Sequence, residues 1–347
     1  MLLSAARSTP QQEPCSIPCN LCGGAEVSTL ATRGRKGKPL RTVICRHCGL
    51  VWSDPLPYDP RHFYQEDYRL AYKRTYQPEP KHILRAGQGS ISRLSCIDHL
   101  LSEPRTILDV GTGGGEFAYL LQSLGHDVRG VEPNRGYAEY SIREYGLDVY
   151  VGFLQDLPLP PDTFDVATLW HVLEHTEDPH SVLAKLQALL KPQGVLVVEV
   201  PNVEATCQSP SNTFHEAHLF NFNPVSLRKL AERAGFVVEE ERLSADGGNI
   251  MLFLRNPSSA APVSGSWAIP GNAERIMESI RNHTLLRHYL SAHPYRRLRW
   301  RLFQARREGR DTAILGTGKQ LLDQLYSQLR NSRATAEVPF KQGSPHG

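Results

Sequence analysis

Glycines and carboxylates recur between Asp109 and Glu132 at a spacing that suits the binding of a small ligand. Glycine stands at Gly111, at Gly113 and at the two positions that follow, so the backbone can turn tightly and approach a ligand closely. Asp109 precedes these glycines and Glu116 follows them. Two carboxylates would repel a pyrophosphate but would attract an ammonium or a sulfonium group. Glu132 is suited to hold both hydroxyls of a ribose.

The elements around these residues are predicted to be a strand, a helix and a second strand. Thr106–Val110 is a short apolar run before the glycine turn, which indicates a buried strand. Apolar residues then follow at helical spacing from Phe117 to Leu124, and Asp127–Val131 is predicted as the next strand. Ligands bind such units at the carboxyl ends of the strands. The G-x-G-x-G spacing and the flanking carboxylates favour S-adenosylmethionine over a dinucleotide.

Four cysteines form two Cys-x-x-Cys pairs, which predict a structural zinc site. Four thiolates complete the tetrahedral shell of zinc and leave no open position for catalysis. Cys15 and His47 are candidate substitute ligands, and the alternative is that the cysteines bind no metal. The predicted zinc ligands are Cys19, Cys22, Cys45 and Cys48.

From the glycine loop onward the chain resembles the class I S-adenosylmethionine-dependent methyltransferases. The resemblance covers residues 95–256 and includes Phe164–Pro179, Leu189–Asn202 and His218–Phe236 in the order that the family uses. It implies an α/β fold, with a Rossmann-like seven-stranded sheet, helices on both faces and a closing hairpin at the end. The ribbon with Asp54–Gln77 resembles the N-terminal module of methyltransferases that act on sugars and natural products.

The resemblance implies a cofactor site that extends from the first strand to the fourth. Phe153 and Leu154 would lie along the adenine ring, with the alternative that each only caps the core. The fourth strand would end at Trp170, facing the methyl group. The expected cofactor-binding residues are Asp109, Gly111, Thr112, Gly113, Glu132, Pro133, Phe153, Leu154 and Trp170.

The long loop after the fifth strand carries the expected catalytic residues. His218 matches a histidine proposed as a base in sugar C-methyltransferases, although Ala217 replaces the glutamate that precedes it there. Glu216 or His215 is expected to orient the substrate. Glu174-His175 partly matches a cation-binding motif of ubiquinone-pathway O-methyltransferases. The N-terminal module of the relatives also contributes a tyrosine, for which the candidates are Tyr64, Tyr68, Tyr72 and Tyr76.

Composition and segment boundaries complete the sequence-based expectations. The chain has 347 residues, a net charge of +3 and 40% hydrophobic residues, which fits a cytoplasmic protein with no membrane span and gives nucleic-acid binding little support. An arginine-rich stretch, 296–310, precedes a short strand and helix at 311–329. The predicted segments are a disordered N-terminus (1–14), a zinc ribbon (15–53), a lid or linker (54–90), the methyltransferase domain (91–256), a linker (257–271), a basic helical extension (272–330) and a disordered tail (331–347).

These observations predict an enzyme that methylates a hydroxyl or an activated carbon of a small molecule, with a histidine base. A sugar, a glycan precursor or a natural-product scaffold is the expected acceptor. The alternatives are a zinc-ribbon RNA methyltransferase and a binding protein that keeps the fold without the chemistry. The acceptor, the methylated atom and the oligomeric state do not follow from the residues, because a shared fold does not determine the acceptor.

Overall fold

The computed structural model describes residues 13–56, 59–67, 75–258, 265–296, 299 and 316–336. Several sequence-based expectations lie outside these residues. They are Tyr68, Tyr72, most of the arginine-rich stretch, the short strand expected at 311–315, and the chain ends 1–12 and 337–347.

The larger of two sheets has seven strands in the order β11-β12-β9-β8-β5-β6-β7. Five of them are parallel, and β12 runs antiparallel to β9 and to β11. This is the seven-stranded sheet with a reversed closing hairpin that the sequence predicted. Its strands are β5 (Thr106–Val110), β6 (Asp127–Glu132), β7 (Asp148–Val151), β8 (Phe164–Trp170), β9 (Leu190–Pro201), β11 (Val237–Leu243) and β12 (Asn249–Arg255).

Helices cover both faces of this sheet, because successive side chains of each strand point to opposite sides. Ile107 belongs to one buried cluster and Leu108 to the other. Asp178 caps the helix that starts at Pro179, as the sequence predicted, since its carboxylate accepts the Ser181 N–H at 3.0 Å. The helices are α1 (Pro80–Ile97), α2 (Glu116–Ser123), α3 (Arg135–Tyr145), α4 (Pro179–Leu189), α5 (Pro224–Arg233), α6 (Asn272–Asn282), α7 (Leu285–Leu290) and α8 (Gly318–Ala336).

Helix α1 is longer than the sequence analysis predicted. A helix was expected over Ile91–Leu101, but it begins at Pro80 and a short 3-10 turn, Asp98–Leu100, follows it. Proline is favoured at the first position of a helix, since its missing N–H would have no partner there. Gly87 and Gly89 obscured this start in the sequence. At Gly87 an added Cβ would lie 2.7 Å from the Leu322 side chain, so the glycine serves the packing of α8.

The second sheet combines the cysteine-containing ribbon with a distant loop. Its order is β1-β2-β3-β4-β10, and all of its neighbours are antiparallel. The strand β10 comes from the loop after β9, so this loop is hydrogen-bonded to the ribbon. Cys48 and Trp52 of the ribbon are fully buried in the same cluster as Leu183 of α4. The strands are β1 (Glu13–Pro14), β2 (Glu26–Arg33), β3 (Pro39–Cys45), β4 (Val51–Ser53) and β10 (Phe220–Asn221).

The helix α8 packs against the helical layer of the seven-stranded sheet. Leu322 and Tyr326 are fully buried among residues of α1, α2 and α3. The Tyr326 hydroxyl donates to the carbonyl oxygen of Glu116 at 3.0 Å, at the start of α2. Of the helices that the structure describes, none combines the length and apolar character needed to cross a bilayer.

Candidate active site

A cavity of about 570 Å³ lies at the carboxyl ends of β5, β6 and β8. This size suits a small-molecule site. Every expected cofactor-binding residue except Asp109 lines the cavity. The structure thus brings together Gly111, Thr112, Gly113, Glu132, Pro133, Phe153, Leu154 and Trp170.

The glycine loop takes a backbone conformation that requires glycine. Gly111 and Gly113 have φ of 72° and 61°, in the left-handed region. The N–H groups of Gly111 and Thr112 donate to the Val131 carbonyl oxygen at 2.7 and 3.1 Å, which joins the loop to β6. A Cβ at Gly111 would lie 2.3 Å from a methyl of Val172. The loop therefore stays open toward the cavity only because side chains are absent.

Two carboxylates are held in fixed positions beside this loop. Asp109 is buried just below it and accepts a hydrogen bond from the Thr168 hydroxyl at 2.6 Å. Its burial raises the pKa of the Asp109 carboxyl. Glu132 accepts from the backbone N–H of Gly113 at 2.8 Å and from that of Asn134 at 3.0 Å. These bonds fix the Glu132 carboxylate at the cavity wall.

The adenine end of the expected site contains one core residue and one residue at the cavity surface. Leu154 is buried in the core cluster and also lines the cavity, and its contact with an adenine ring stays a prediction. Phe153 is partly exposed, and the Arg61 guanidinium lies 4.9 Å from its ring centroid. Arg61 is itself paired with Asp156 at 2.8 Å. The stacked guanidinium and phenyl groups close this end of the cavity.

The residues suit S-adenosylmethionine. The glycine loop with Asp109 would hold its amino-acid part, Glu132 would hold its ribose, and the apolar end would hold its base. The indole Nε1 of Trp170 is buried, lines the cavity region and has no hydrogen-bond partner among the residues that the structure describes. A buried donor without a partner is unfavourable until a ligand or water accepts from it.

Histidines and glutamates gather where β8 and β9 end. His171 takes the left-handed φ of 55°, which directs its ring between two carboxylates. Its Nε2 lies 2.8 Å from Glu199 and its Nδ1 lies 3.3 Å from Glu174. Burial would lower the pKa of His171, but hydrogen bonds to Glu174 and Glu199 outweigh it and raise the pKa to about 9. His171 is therefore protonated at neutral pH.

The three expected catalytic residues lie behind this group. His218 packs with its ring centroid 5.0 Å from that of His175 and 3.7 Å from that of His215. Burial lowers the pKa of His215 to about 4 and that of His218 well below the ordinary value. Glu216 points away and pairs with Lys38 of the ribbon at 2.6 Å. The described residues that line the cavity include His171 and His175. They do not include the three expected catalytic residues, His215, Glu216 and His218.

Of the two candidate tyrosines that the structure describes, Tyr64 and Tyr76, it is Tyr64 that reaches the cavity from the N-terminal module. Its hydroxyl donates to the Ala217 carbonyl oxygen at 2.8 Å and lies 2.7 Å from Nδ1 of His175. Tyr76, by contrast, is 68% exposed. The sequence could not choose among the four tyrosines, because the choice depends on how the module packs on the loop after β9.

The ribbon brings the four predicted zinc ligands together. Sγ of Cys19 lies 3.4 Å from Sγ of Cys48, and the same distance separates Cys22 from Cys45. All four sulfurs lie within 4.8 Å of one another. Cys15 instead donates to the Ala25 carbonyl oxygen at 3.4 Å. Glu174, His175 and His218 form a second group with potential ligand atoms within 4.8 Å of one another, and whether Glu174 and His175 bind a cation is a question that the sequence left open.

A family model described as a methyltransferase domain matches residues 64–241, which is half of the chain. The chain belongs to the class I S-adenosylmethionine-dependent methyltransferases. The match includes the glycine loop, Glu132, the histidine group and the loop after β9.

Three relatives with curated names match parts of the chain. A protein of Mycolicibacterium smegmatis described as "Probable S-adenosylmethionine-dependent methyltransferase" is 31% identical over 140 residues, covering 39% of this chain and 53% of its own. The C-methyltransferase NovU of Streptomyces niveus is 27% identical, covering 69% of this chain and 56% of its own. A ubiquinone biosynthesis O-methyltransferase of Paraburkholderia phymatum is 35% identical, covering 29% and 47%. The chain thus spans about half the length of these curated relatives that it matches.

Proposed function

We propose that this protein transfers the methyl group of S-adenosylmethionine to a hydroxyl or an activated carbon of a small molecule. The observation that carries the proposal is the single cavity that joins the glycine loop and Glu132 at one end to Tyr64 and His175 at the other. The names of the relatives include a C-methyltransferase and a ubiquinone biosynthesis O-methyltransferase, which supports transfer to a carbon or an oxygen atom. A sugar, a glycan precursor or a natural-product scaffold is the acceptor that we propose.

Some residues of the chain would hold the cofactor, and a histidine would remove a proton from the acceptor. When bound, S-adenosylmethionine supplies an electrophilic methyl group on a positively charged sulfur. Glu132 would hold the ribose hydroxyls, and the Asp109 side of the loop would hold the amino-acid part. Fixing both reactants in line accounts for much of the rate enhancement in such a displacement.

A histidine would take the proton that leaves the acceptor. His175 is the member of the group that both lines the cavity and adjoins His218, the base expected from the sequence. The contact of 2.5 Å between its Nδ1 and the Ala217 carbonyl oxygen requires a hydrogen on Nδ1, which leaves Nε2 as the accepting atom. Glu174 lies 3.8 Å from this Nε2 and would stabilise the imidazolium that forms. We propose that His175 receives the proton and that His218 supports its ring.

The reaction is tested with methyl-labelled S-adenosylmethionine and with small-molecule and RNA fractions of the source cells. We expect label in a small molecule, whose mass spectrum would identify the acceptor. Label in RNA would refute the proposal in favour of an RNA methyltransferase. Absence of label in both fractions, with cofactor binding shown separately, would favour a binding protein with the same fold.

The role of the histidines is tested by substitution once the acceptor is known. His175→Ala should lower kcat by about 100-fold or more, the usual effect of removing a general base. His218→Ala should lower it less. His99→Ala is the control, because His99 is exposed and contacts Phe253 at 5.5 Å between ring centroids, away from the cavity. Full turnover of His175→Ala at saturating acceptor would contradict the role of His175.

A structural zinc ion is the second part of the proposal. The four sulfurs of the ribbon would bind it, since their mutual distances are compatible with a tetrahedral thiolate site. Metal analysis of the purified protein should find about one zinc per chain. Cys45→Ser should lose it. A zinc content unchanged by Cys45→Ser would show that the metal is bound elsewhere.

A further inference from the structure

Half of the large apolar side chains that are exposed in the described part of the chain lie in one short stretch. Ten such side chains are exposed, and five of them fall within 285–295. Leu286 and Leu290 of α7 are 71% and 78% exposed. Exposed apolar side chains need no explanation when they are scattered, but a group of them indicates contact with another molecule. This group, the α7 patch, consists of Leu285, Leu286, Tyr289, Leu290 and Tyr295.

The opposite side of α7 is attached to the body of the protein, so the patch has a fixed orientation. The four patch residues that belong to α7 follow the spacing of one helical face. His288 on the other side is buried, and its Nδ1 lies 3.3 Å from the Thr206 carbonyl oxygen. The Thr284 hydroxyl accepts from the Arg287 N–H at 3.3 Å and caps the start of α7. Because Thr206 lies in the loop after β9, the patch is joined to the loop that carries the expected catalytic residues.

The sequence around the patch is strongly cationic. Residues 279–307 contain eight arginines and neither aspartate nor glutamate. Since the net charge of the whole chain is only +3, the rest of the chain is net negative. Four of these arginines belong to the described residues and are exposed, namely Arg281, Arg287, Arg296 and Arg299. The molecule that covers the α7 patch must therefore offer negative charge together with an apolar environment.

We propose that the α7 patch binds the surface of a membrane that contains anionic phospholipids. The leucines would enter the boundary between headgroups and acyl chains, the tyrosines would lie at the level of the headgroups, and the arginines would pair with lipid phosphates. Each arginine near an anionic leaflet strengthens such binding about fivefold. The proposal is independent of the proposed methyl transfer, because the patch residues do not line the cavity.

Two other occupants fit the patch less well. A second copy of the chain would bring two sets of arginines together in one interface, and like charges in an interface oppose association. A nucleic acid would pair with the arginines but would leave the leucines in water, because interfaces with nucleic acids consist mainly of polar and positively charged groups. An anionic bilayer accepts both the charged and the apolar side chains.

Flotation of the full chain with lipid vesicles tests the proposal. The vesicles consist of phosphatidylcholine alone or of phosphatidylcholine mixed with phosphatidylglycerol. Leu290→Ser removes the most exposed side chain of the patch, and Arg287→Gln removes one of its neighbouring charges. The matched controls are Leu243→Ser, whose leucine is 52% exposed in β11, and Arg228→Gln, whose arginine is exposed in α5. Because all four side chains are exposed, the variants should fold, and circular dichroism checks that they do.

We expect the unsubstituted protein to float with the anionic vesicles and far less with phosphatidylcholine alone. Added salt should weaken the binding, because it screens the arginines. Leu290→Ser should lower the partition coefficient about 10-fold, as the loss of a leucine side chain from an apolar environment implies. Arg287→Gln should lower it about fivefold. The two controls should bind as the unsubstituted protein does.

Absence of flotation with the anionic vesicles would overturn the proposal. Flotation that Leu290→Ser leaves unchanged, or that both controls weaken equally, would also overturn it. A dimer in light scattering that Leu290→Ser dissociates, without flotation, would assign the patch to a second copy of the chain. Binding of RNA that requires Arg287 and not Leu290, again without flotation, would assign the arginines to a nucleic acid.

Discussion

Substitution of Tyr326 tests whether the C-terminal helix α8 is an integral part of the methyltransferase domain. Tyr326 is fully buried, and its ring centroid lies 6.4 Å from that of Tyr119 in α2. Tyr326→Phe removes the hydroxyl and its 3.0 Å hydrogen bond to the Glu116 carbonyl oxygen but keeps the ring, so it should lower the free energy of unfolding by about 1 kcal/mol. Tyr326→Ala also empties the space of the ring, which should cost about 3 to 5 kcal/mol.

Denaturant unfolding of the full chain measures both effects. Tyr76→Ala is the matched control, because Tyr76 is 68% exposed and its ring leaves no cavity when removed. The control should change stability by about 0.5 kcal/mol or less. If Tyr326→Ala cost no more than Tyr76→Ala, α8 would not be packed on α1 and α2 in solution. The hydrogen bond from Tyr326 to the Glu116 carbonyl oxygen would then not form in solution either.

Three further predictions concern charge and metal. The pKa of His171 is raised to about 9 from an ordinary 6.5, so the stability that its charge contributes is complete below pH 6.5 and is lost as the pH rises through 9. The free energy of unfolding should therefore fall between pH 7 and pH 10. His171→Gln should make this fall smaller by about 1 kcal/mol, a value that allows for solvent screening. Asp109→Asn should weaken S-adenosylhomocysteine binding in calorimetry by about 10-fold or more, because it removes a carboxylate beside the cationic part of the ligand, and an unchanged affinity would contradict this. Removal of zinc by a strong chelator should lower the melting temperature, and restoration by added zinc would distinguish this loss from general damage.

Strands were the part of the fold that the sequence predicted best. Thr106–Val110 has the bounds expected from its apolar run and glycine turn, and the strand expected at Asp127–Val131 continues by one residue to Glu132. Such runs are local signals, and a buried parallel strand needs little else. The start of α1 was not predicted, because Gly87 weakens the helical pattern for a reason that lies in α8, far along the chain.

The candidate site was predictable where one segment carries it and not where several meet. The glycine loop and Glu132 lie close in sequence, so their shared site follows from their spacing. The sequence did not predict that Arg93 of α1 lines the cavity, because nothing in its own segment shows that it faces the cavity. His218 was singled out from its loop, but the packing of Tyr64 onto Ala217 places His175 at the cavity surface. Long-range packing of this kind leaves no local pattern in the sequence.

Because β10 pairs with β4, the ribbon can affect the chemistry of the site, although it contributes none of the cofactor-binding residues. The segment that ends in β10 carries His215 and His218 and donates no residue to the cofactor end of the cavity. We therefore expect a chain deprived of zinc to retain its affinity for S-adenosylmethionine while it loses the shape of its acceptor site.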